Sequence, residues 1–217
     1  MSRIAAGIAL AVTSLQATPA DTDEFLKYHR RVRIDEGLQE AAGNGAGVRV
    51  GVIDTDIDVD HREFGDRVVD VVKDPGYPYL TPGNHGTQVT GIIAAARDGR
   101  GMVGIAPEAS IVSTWLLDQD GDVSFTGPGG SLVSWFDRME QSDVHVVNAS
   151  LAPGDGGSLL NGSQQDLRAL ANLRSSAVVA IAAGNEGKDL EDVRCSKSRK
   201  ELCRNPDRYF GHVLVVG

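Results

Sequence analysis

The chain has 217 residues and a mass of 23.0 kDa, which fits one ordinary domain or a domain with a short appendage. Hydrophobic residues make up 41% and charged residues 24%, a composition that excludes wholesale disorder, a collagen-like chain and a coiled coil. The formal net charge of -9 argues against a nucleic-acid partner, and no apolar run reaches the roughly 18 residues of a membrane-spanning helix.

The first residues predict an export signal. An apolar run over residues 4–12 follows Arg3 and precedes a stretch of small and polar residues. This pattern predicts a signal peptide over residues 1–20, cleaved after Ala17 or Ala20, and the alternative is a frayed N-terminal helix. We therefore expect a protein that is secreted or located in the cell envelope.

The next segment, residues 21–46, is polar and carries apolar side chains at loosely helical spacing. It predicts an N-terminal helical leader that packs against the following domain. The glycine-rich stretch over residues 43–47 then marks the beginning of that domain, which we place at residues 47–217.

Six short apolar runs, rich in β-branched residues, predict strands, and helix-like segments lie between several of them. The strands are predicted at residues 48–53, 68–72, 111–117, 144–148, 178–183 and 213–216, and the helices at 85–97, 132–141 and 164–173. Strands that are apolar on both faces and alternate with helices indicate an α/β fold. We predict a doubly wound, mostly parallel sheet with helices on both faces.

Polar residues follow three of these strands, at the edge of a parallel sheet where functional residues collect. Asp54 ends the first strand, Asn148 and Ser150 lie at the end of a later one, and Asn185 follows the next. His85 lies in the first turn of a predicted helix. Each of these residues alone is also common in helix caps, turns or cores. The functional interpretation therefore depends on their occurring together.

Four motifs occur in the order found in subtilisin-like serine proteases, a family that this sequence therefore resembles. They are Val-Ile-Asp-Thr-Asp-Ile-Asp, His-Gly-Thr-Gln-Val-Thr-Gly-Ile-Ile-Ala-Ala, Gly-Ile-Ala-Pro-Glu-Ala and Ala-Ala-Gly-Asn-Glu-Gly. The resemblance covers about residues 47–187 and extends more loosely to 217. The leader, the turn at residues 97–101 and the predicted signal peptide are more similar to the autotransporter-type subtilases of Gram-negative bacteria.

The resemblance implies a role for each matching residue. Asp54 would orient His85, His85 would act as general base and then general acid, and Asn185 would donate a hydrogen bond to the oxyanion. The strand that pairs with a protein or peptide substrate would comprise Ser150, Leu151 and Ala152. Glu63 stands where many members of the family place a calcium-ligating carboxylate; catalysis requires no cofactor, and calcium is a candidate ligand.

The sequence departs from the family most clearly in its nucleophile. The family's serine lies in Gly-Thr-Ser-x-x-x-Pro, and after Asn185 the only serines are Ser196 and Ser198, in a charged loop. Ser131 comes too early and lacks the following proline. We therefore expect residues 47–217 to be a partial, C-terminally incomplete peptidase domain, truncated before the nucleophile and inactive alone.

Two cysteines lie close together in that charged loop, at Cys195 and Cys203. In an exported protein they predict a local disulfide. A zinc site would need two further ligands, and only His212 is near in sequence.

Two other functions are weighed against the protease. Asp54 and Asp56 after a hydrophobic strand also resemble the nucleophile motif of magnesium-dependent phosphatases, which leaves the histidine and asparagine motifs unexplained. The missing serine also fits a pseudoprotease that binds peptide without cleaving it. Asp56 is itself a departure from the family's glycine, and a second carboxylate so near Asp54 predicts a raised pKa for at least one of them.

Overall fold

The computed structural model describes residues 27–55, 57–72, 84–115, 132–150, 164–173, 177–183 and 211–216. Several predictions fall outside these residues: the signal peptide, Asp56, Leu151, Ala152, Asn185, Cys195, Cys203 and the dismissed serines Ser131, Ser196 and Ser198. Within the described stretches no helix has the length and apolar character needed to cross a bilayer.

In the part of the chain that the structure describes, six strands form one sheet in the order β2-β3-β1-β4-β5-β6, and each neighbouring pair is parallel. The strands are β1 (Arg49–Asp54), β2 (Val68–Val72), β3 (Ser110–Trp115), β4 (Val146–Ala149), β5 (Val178–Ala182) and β6 (Val213–Val216). The predicted α/β class with a mostly parallel sheet is confirmed. β1 lies inside the sheet between β3 and β4, so its carboxyl end is flanked by two other strand ends.

Among the described residues, five helices accompany the sheet: α1 (Lys27–Arg31), α2 (Glu36–Ala41), α3 (Asn84–Ala94), α4 (Leu132–Gln141) and α5 (Gln164–Asn172). Short 3-10 turns occupy Gly43–Gly45 and Gly65–Arg67. The three longer helices agree with the predicted segments, except that α3 ends at Ala94 and not at Arg97. It stops there because backbone N–H groups of the following loop donate to two of its last carbonyls, Ile105 to Ile92 and Ala106 to Ile93, while Gly104 donates to Ala95 just after the helix.

The two faces of the sheet carry separate hydrophobic cores. On one face, Ile53 and Val147 pack with Trp135, Phe136 and other buried side chains of α4 and α5. On the opposite face, a second core joins the inner strands to α3 through Val50, Val52, Ile111, Ala94 and their neighbours. Because side chains alternate along a strand, Asp54 points to the same face as Val50 and Val52, which is the face covered by α3.

The N-terminal segment forms two short helices where the sequence suggested continuous helical spacing. Asp35 separates them, because its carboxylate accepts the backbone N–H of Leu38 at 2.8 Å and so caps α2. Gln39, at 3% exposure, then reaches the loop after α3 and donates from Nε2 to the carbonyls of Gly104 (2.9 Å) and Ile105 (2.7 Å). The segment is thus bonded to the loop that ends α3.

Candidate active site

Asp54 is the last residue of β1 and is wholly buried, with 0% exposure. Its Oδ1 accepts two hydrogen bonds, each 2.7 Å long, from the backbone N–H of Thr55 and from Nδ1 of His85. Its Oδ2 is buried and has no hydrogen-bond partner among the described residues. A carboxylate this deep is costly unless it is paired, and His85 supplies the pairing.

His85 is the second residue of α3, and its imidazole is 53% exposed although its partner is buried. Since Nδ1 faces the carboxylate, we assign the proton of the neutral ring to Nδ1. The other nitrogen, Nε2, then carries a lone pair on the half-exposed ring. A histidine held in this tautomer can accept a proton from an incoming group at Nε2.

Burial raises the pKa of Asp54 above its ordinary value of 3.8, and the hydrogen bonds from His85 and Thr55 oppose that rise. From the sequence, the like charge of Asp56 predicts a raised pKa for Asp54 or Asp56, but Asp56 lies outside the described residues. Within the described structure, desolvation of the buried carboxyl is the main cause of the raised pKa of Asp54. The bond from His85 favours the charged form of the carboxylate, which is the form that stabilises an imidazolium.

Two threonines tie the segment after β1 to the first turn of α3. The hydroxyl Oγ1 of Thr55 accepts the backbone N–H of Gly86 at 2.8 Å, and Oγ1 of Thr87 accepts the backbone N–H of Asp58 at 2.9 Å. Neither threonine was singled out from the sequence, although both stand inside the quoted motifs. The signal available there was a hydroxyl residue directly after the aspartate and another two residues after the histidine.

Ser150 follows β4, the strand that pairs with β1 in parallel. Its Oγ accepts a hydrogen bond from Nδ2 of Asn148 at 2.9 Å. The structure therefore brings Ser150 to the same edge of the sheet as Asp54. The predicted substrate strand continues into Leu151 and Ala152, and the predicted oxyanion donor Asn185 follows β5, all outside the described residues.

Glu63, the candidate calcium ligand, is buried at 6% exposure and forms an ion pair with Arg62, with 3.5 Å between Oε1 and Nε. In the part of the chain that the structure describes, no three side chains of His, Cys, Asp or Glu lie together as a metal-binding group. A calcium site at Glu63 would therefore need backbone carbonyls or residues outside the described stretches. The calcium prediction stays untested.

A protein-family model described as "Subtilase family" matches residues 45–217, which is most of the chain. This chain belongs to the subtilase family. Among curated subtilases, it is 34% identical to subtilisin DY of Bacillus licheniformis over 152 residues, and 33% identical to subtilisin E of Bacillus subtilis over 151. Each alignment covers 69% of this chain, but 52% of subtilisin DY and 37% of subtilisin E, so the chain spans about half or less of these relatives.

Solved structures agree with the fold of this subtilase. The psychrophilic subtilisin-like protease Apa1 from the Antarctic Pseudoalteromonas sp. AS-11 matches with a TM-score of 0.54 and 26% identity, covering 67% of this chain and 33% of Apa1. The prenylagaramide maturation protease PagA matches in fold with a TM-score of 0.53 and 22% identity, over 70% of this chain and 52% of PagA. The resemblance inferred from four motifs is thus confirmed at the level of family and fold.

Proposed function

We propose that this chain supplies the aspartate and histidine of a subtilisin-type serine endopeptidase. The observation that carries the proposal is the 2.7 Å bond between Oδ1 of the fully buried Asp54 and Nδ1 of the half-exposed His85. A buried carboxylate behind an accessible imidazole is the arrangement needed for general-base catalysis by histidine. Membership of the subtilase family supports the same chemistry.

In this mechanism Nε2 of His85 takes the proton from a serine hydroxyl while the serine oxygen attacks the peptide carbonyl. The imidazolium then gives that proton to the leaving amine, and the acyl-enzyme is hydrolysed by water in the reverse sequence of proton transfers. Asp54 stays ionised throughout and stabilises the imidazolium. Asn185 is proposed as the side-chain donor to the oxyanion, an interaction that contributes roughly 3 kcal/mol in a protease of this type.

We propose a protein or peptide substrate that pairs as an added strand with Ser150, Leu151 and Ala152. Ser150 lies at the sheet edge shared with Asp54, which supports this placement. Export through the signal peptide at residues 1–20, a Cys195–Cys203 disulfide, an autotransporter-type origin and calcium bound near Glu63 remain proposals based on sequence. The phosphatase alternative is disfavoured because it requires Asp54 to hold magnesium and attack phosphorus, whereas Asp54 is bonded to His85.

The 217 residues contain no Gly-Thr-Ser-x-x-x-Pro motif, so we propose that they do not cleave peptides alone. A non-catalytic peptide-binding role is the second candidate, and the missing motif is the observation that favours it. The experiment compares hydrolysis of a generic peptide by the 217-residue chain and by a chain extended with the coding sequence downstream of codon 217. We expect turnover in the extended chain alone, sensitive to a serine-directed inhibitor and lost in His85→Ala.

Three outcomes of this comparison contradict parts of the proposal. Inhibitor-sensitive turnover by the 217-residue chain would mean that one of its own serines is the nucleophile. Turnover that survives His85→Ala in the extended chain would remove His85 from catalysis. An in-frame stop codon after residue 217, together with peptide binding and no turnover, would favour the non-catalytic role.

A further inference from the structure

The two threonine hydroxyls near the Asp54–His85 pair form a reciprocal connection between two segments that are distant in sequence. The segment after β1 gives one hydroxyl acceptor, Thr55, and one backbone donor, Asp58. The first turn of α3 gives one backbone donor, Gly86, and one hydroxyl acceptor, Thr87. Each bond is of ordinary length, 2.8 Å and 2.9 Å, so both are well formed.

The two bonds fall on the residues that immediately follow His85. The N–H groups in the first turn of a helix have no partner within the helix, and the buried Gly86 therefore needs an acceptor from elsewhere. Thr55 supplies that acceptor. Because Gly86 is the next residue after His85, the Thr55 hydroxyl fixes the backbone that carries the imidazole.

Thr55 also contacts the other member of the pair. Its backbone N–H donates to Oδ1 of Asp54, which is the same oxygen that His85 binds. One residue thus holds the carboxylate through its main chain and the helix of the histidine through its side chain. Thr87 adds a second point of attachment one residue further along α3.

The exposure of the two partners shows why such attachment matters. Asp54 is fully buried at the end of β1, whereas the His85 ring is 53% exposed. The distance between Nδ1 and Oδ1 therefore depends on where the first turn of α3 sits relative to β1. Bonds between backbone and hydroxyl on the two residues after His85 define that position.

We propose that Thr55 and Thr87 are positioning residues for His85: their hydroxyl groups hold the first turn of α3 at the distance from β1 that the Asp54–His85 hydrogen bond requires. The inference rests on the proposed function, in which this pair is catalytic. It assigns the two hydroxyls a role in the reaction through His85, without contact to substrate.

The test is NMR spectroscopy of the 217-residue chain, which reads the hydrogen bond itself and needs no turnover. The Nδ1 proton of His85 is followed as a low-field resonance, assigned by its loss in His85→Ala, and its exchange rate with solvent is measured at one fixed pH. The variants are Thr55→Val and Thr87→Val, which keep the shape and remove the hydroxyl. Thr55→Ser and Thr87→Ser keep the hydroxyl.

We expect exchange to become about tenfold faster in each valine variant, the factor that corresponds to the net loss of one hydrogen bond. Each serine variant should stay within about twofold of wild type, since the acceptor is retained. The matched control is Thr114→Val. Thr114 is fully buried in β3, and its alternation with Val112 places it on the opposite face, toward α4. Thr114→Val should lower the free energy of unfolding without changing the exchange rate of the His85 Nδ1 proton.

Circular dichroism confirms that each variant is folded, and if Thr55→Val does not fold, Thr87→Val and the two serine variants carry the test. Unchanged exchange in folded Thr55→Val and Thr87→Val would overturn the inference and leave the proposed function standing. Equal acceleration in Thr114→Val would also overturn it, because the effect would then reflect general loosening. A wild-type spectrum without the low-field resonance would remove the Asp54–His85 bond and both proposals with it.

Discussion

The two ends of helix α3 are held in opposite ways. Its first turn, which carries His85, is bonded to the carboxylate that ends β1 and, through two threonine hydroxyls, to the segment after β1. Its last turn accepts two backbone bonds from the following loop, a third joins that loop to Ala95 just after the helix, and the loop is bonded in turn to Gln39. The end that carries His85 is held through side chains, whereas the far end is held mainly through backbone bonds. A helix anchored in this way can present a half-exposed histidine without losing its place on the sheet.

The largest expected effect is a loss of stability at the far end of α3, caused by substituting Gly104. A Cβ at this position would lie 2.5 Å from the backbone nitrogens of Ala94 and Ala95, and backbone atoms cannot yield as a side chain can. We expect Gly104→Ala to lower the free energy of unfolding by about 3 kcal/mol or more. Urea titration of the variant and the wild type measures this difference in the free energy of unfolding.

The control for that change is Gly37→Ala, because a Cβ on Gly37 meets only Oδ1 of Asp35 at 3.5 Å, an ordinary contact. Gly37 lies in α2, so alanine should leave the free energy of unfolding unchanged or raise it by up to about 1 kcal/mol. Equal stability of Gly104→Ala and wild type would show that the loop after α3 can move aside.

Substituting Gln39 should cause a smaller loss of stability at the same end of α3. Gln39→Ala removes the two donated bonds to Gly104 and Ile105 and an accepted bond of 2.5 Å from Nη2 of Arg97. Because the buried carbonyl of Gly104 and the partly buried carbonyl of Ile105 lose their donor, we expect the free energy of unfolding to fall by about 2 kcal/mol. Glu40→Ala, at the exposed neighbouring position, should change it by less than about 0.5 kcal/mol.

This variant also sharpens the comparison between the two ends. If they are independent, exchange of the His85 Nδ1 proton in Gln39→Ala should stay within about twofold of wild type, as additivity of distant sites predicts. Faster exchange there would mean that the far end of α3 helps to place the histidine.

The smallest expected effect concerns the end of α3 that carries His85, and here the substitution is expected to raise the relative free energy of unfolding. A carboxyl whose pKa is raised by burial holds its proton more tightly in the folded than in the unfolded chain. The free energy of unfolding therefore falls as pH rises from 3.8 through the folded pKa of Asp54, and that loss persists at higher pH. Asp54→Asn has no such titration, so its stability relative to wild type should increase over this interval.

Denaturant titrations at a series of pH values measure that difference. His85→Ala provides the matched comparison, because it removes the hydrogen bond that opposes the raised pKa of Asp54. The pH interval over which stability falls should then extend further upward. A difference between Asp54→Asn and wild type that does not change with pH would contradict the raised pKa.

Much of the fold could be predicted because its signals are local. Runs of β-branched residues such as Val68–Val72 are found as strands with the same bounds, and the helix over Leu132–Gln141 likewise. The end of α3 could not be predicted. Ala95 and Ala96 are good helix formers, and the helix stops because a loop ten residues further on captures its carbonyls.

The site shows the same division. Asp54 and His85 stand out in their motifs, and the parallel sheet explains why a strand end should meet the start of a neighbouring helix. The parts played by Thr55 and Thr87 depend on a register between β1 and α3, elements separated by about thirty residues. The position of a threonine in the sequence does not show from which backbone N–H its hydroxyl will accept a hydrogen bond. The ion pair of Glu63 with Arg62 was likewise invisible in a pattern that suggested calcium.

The inner place of β1 in the sheet also has a consequence for how the chain folds during synthesis. Asp54 and His85 are separated by 31 residues, and β1 pairs with β3, so the histidine side of the sheet is contained in residues 49–115. Domains acquire structure as the chain leaves the ribosome, N-terminal parts first. The Asp54–His85 contact can therefore form while β4 and everything after it are still being translated. Until β4 has been synthesised, the edge of β1 that later pairs with β4 has unpaired backbone N–H and C=O groups, which can bond to a strand of another chain. At that stage a chaperone would protect the nascent chain from aggregation.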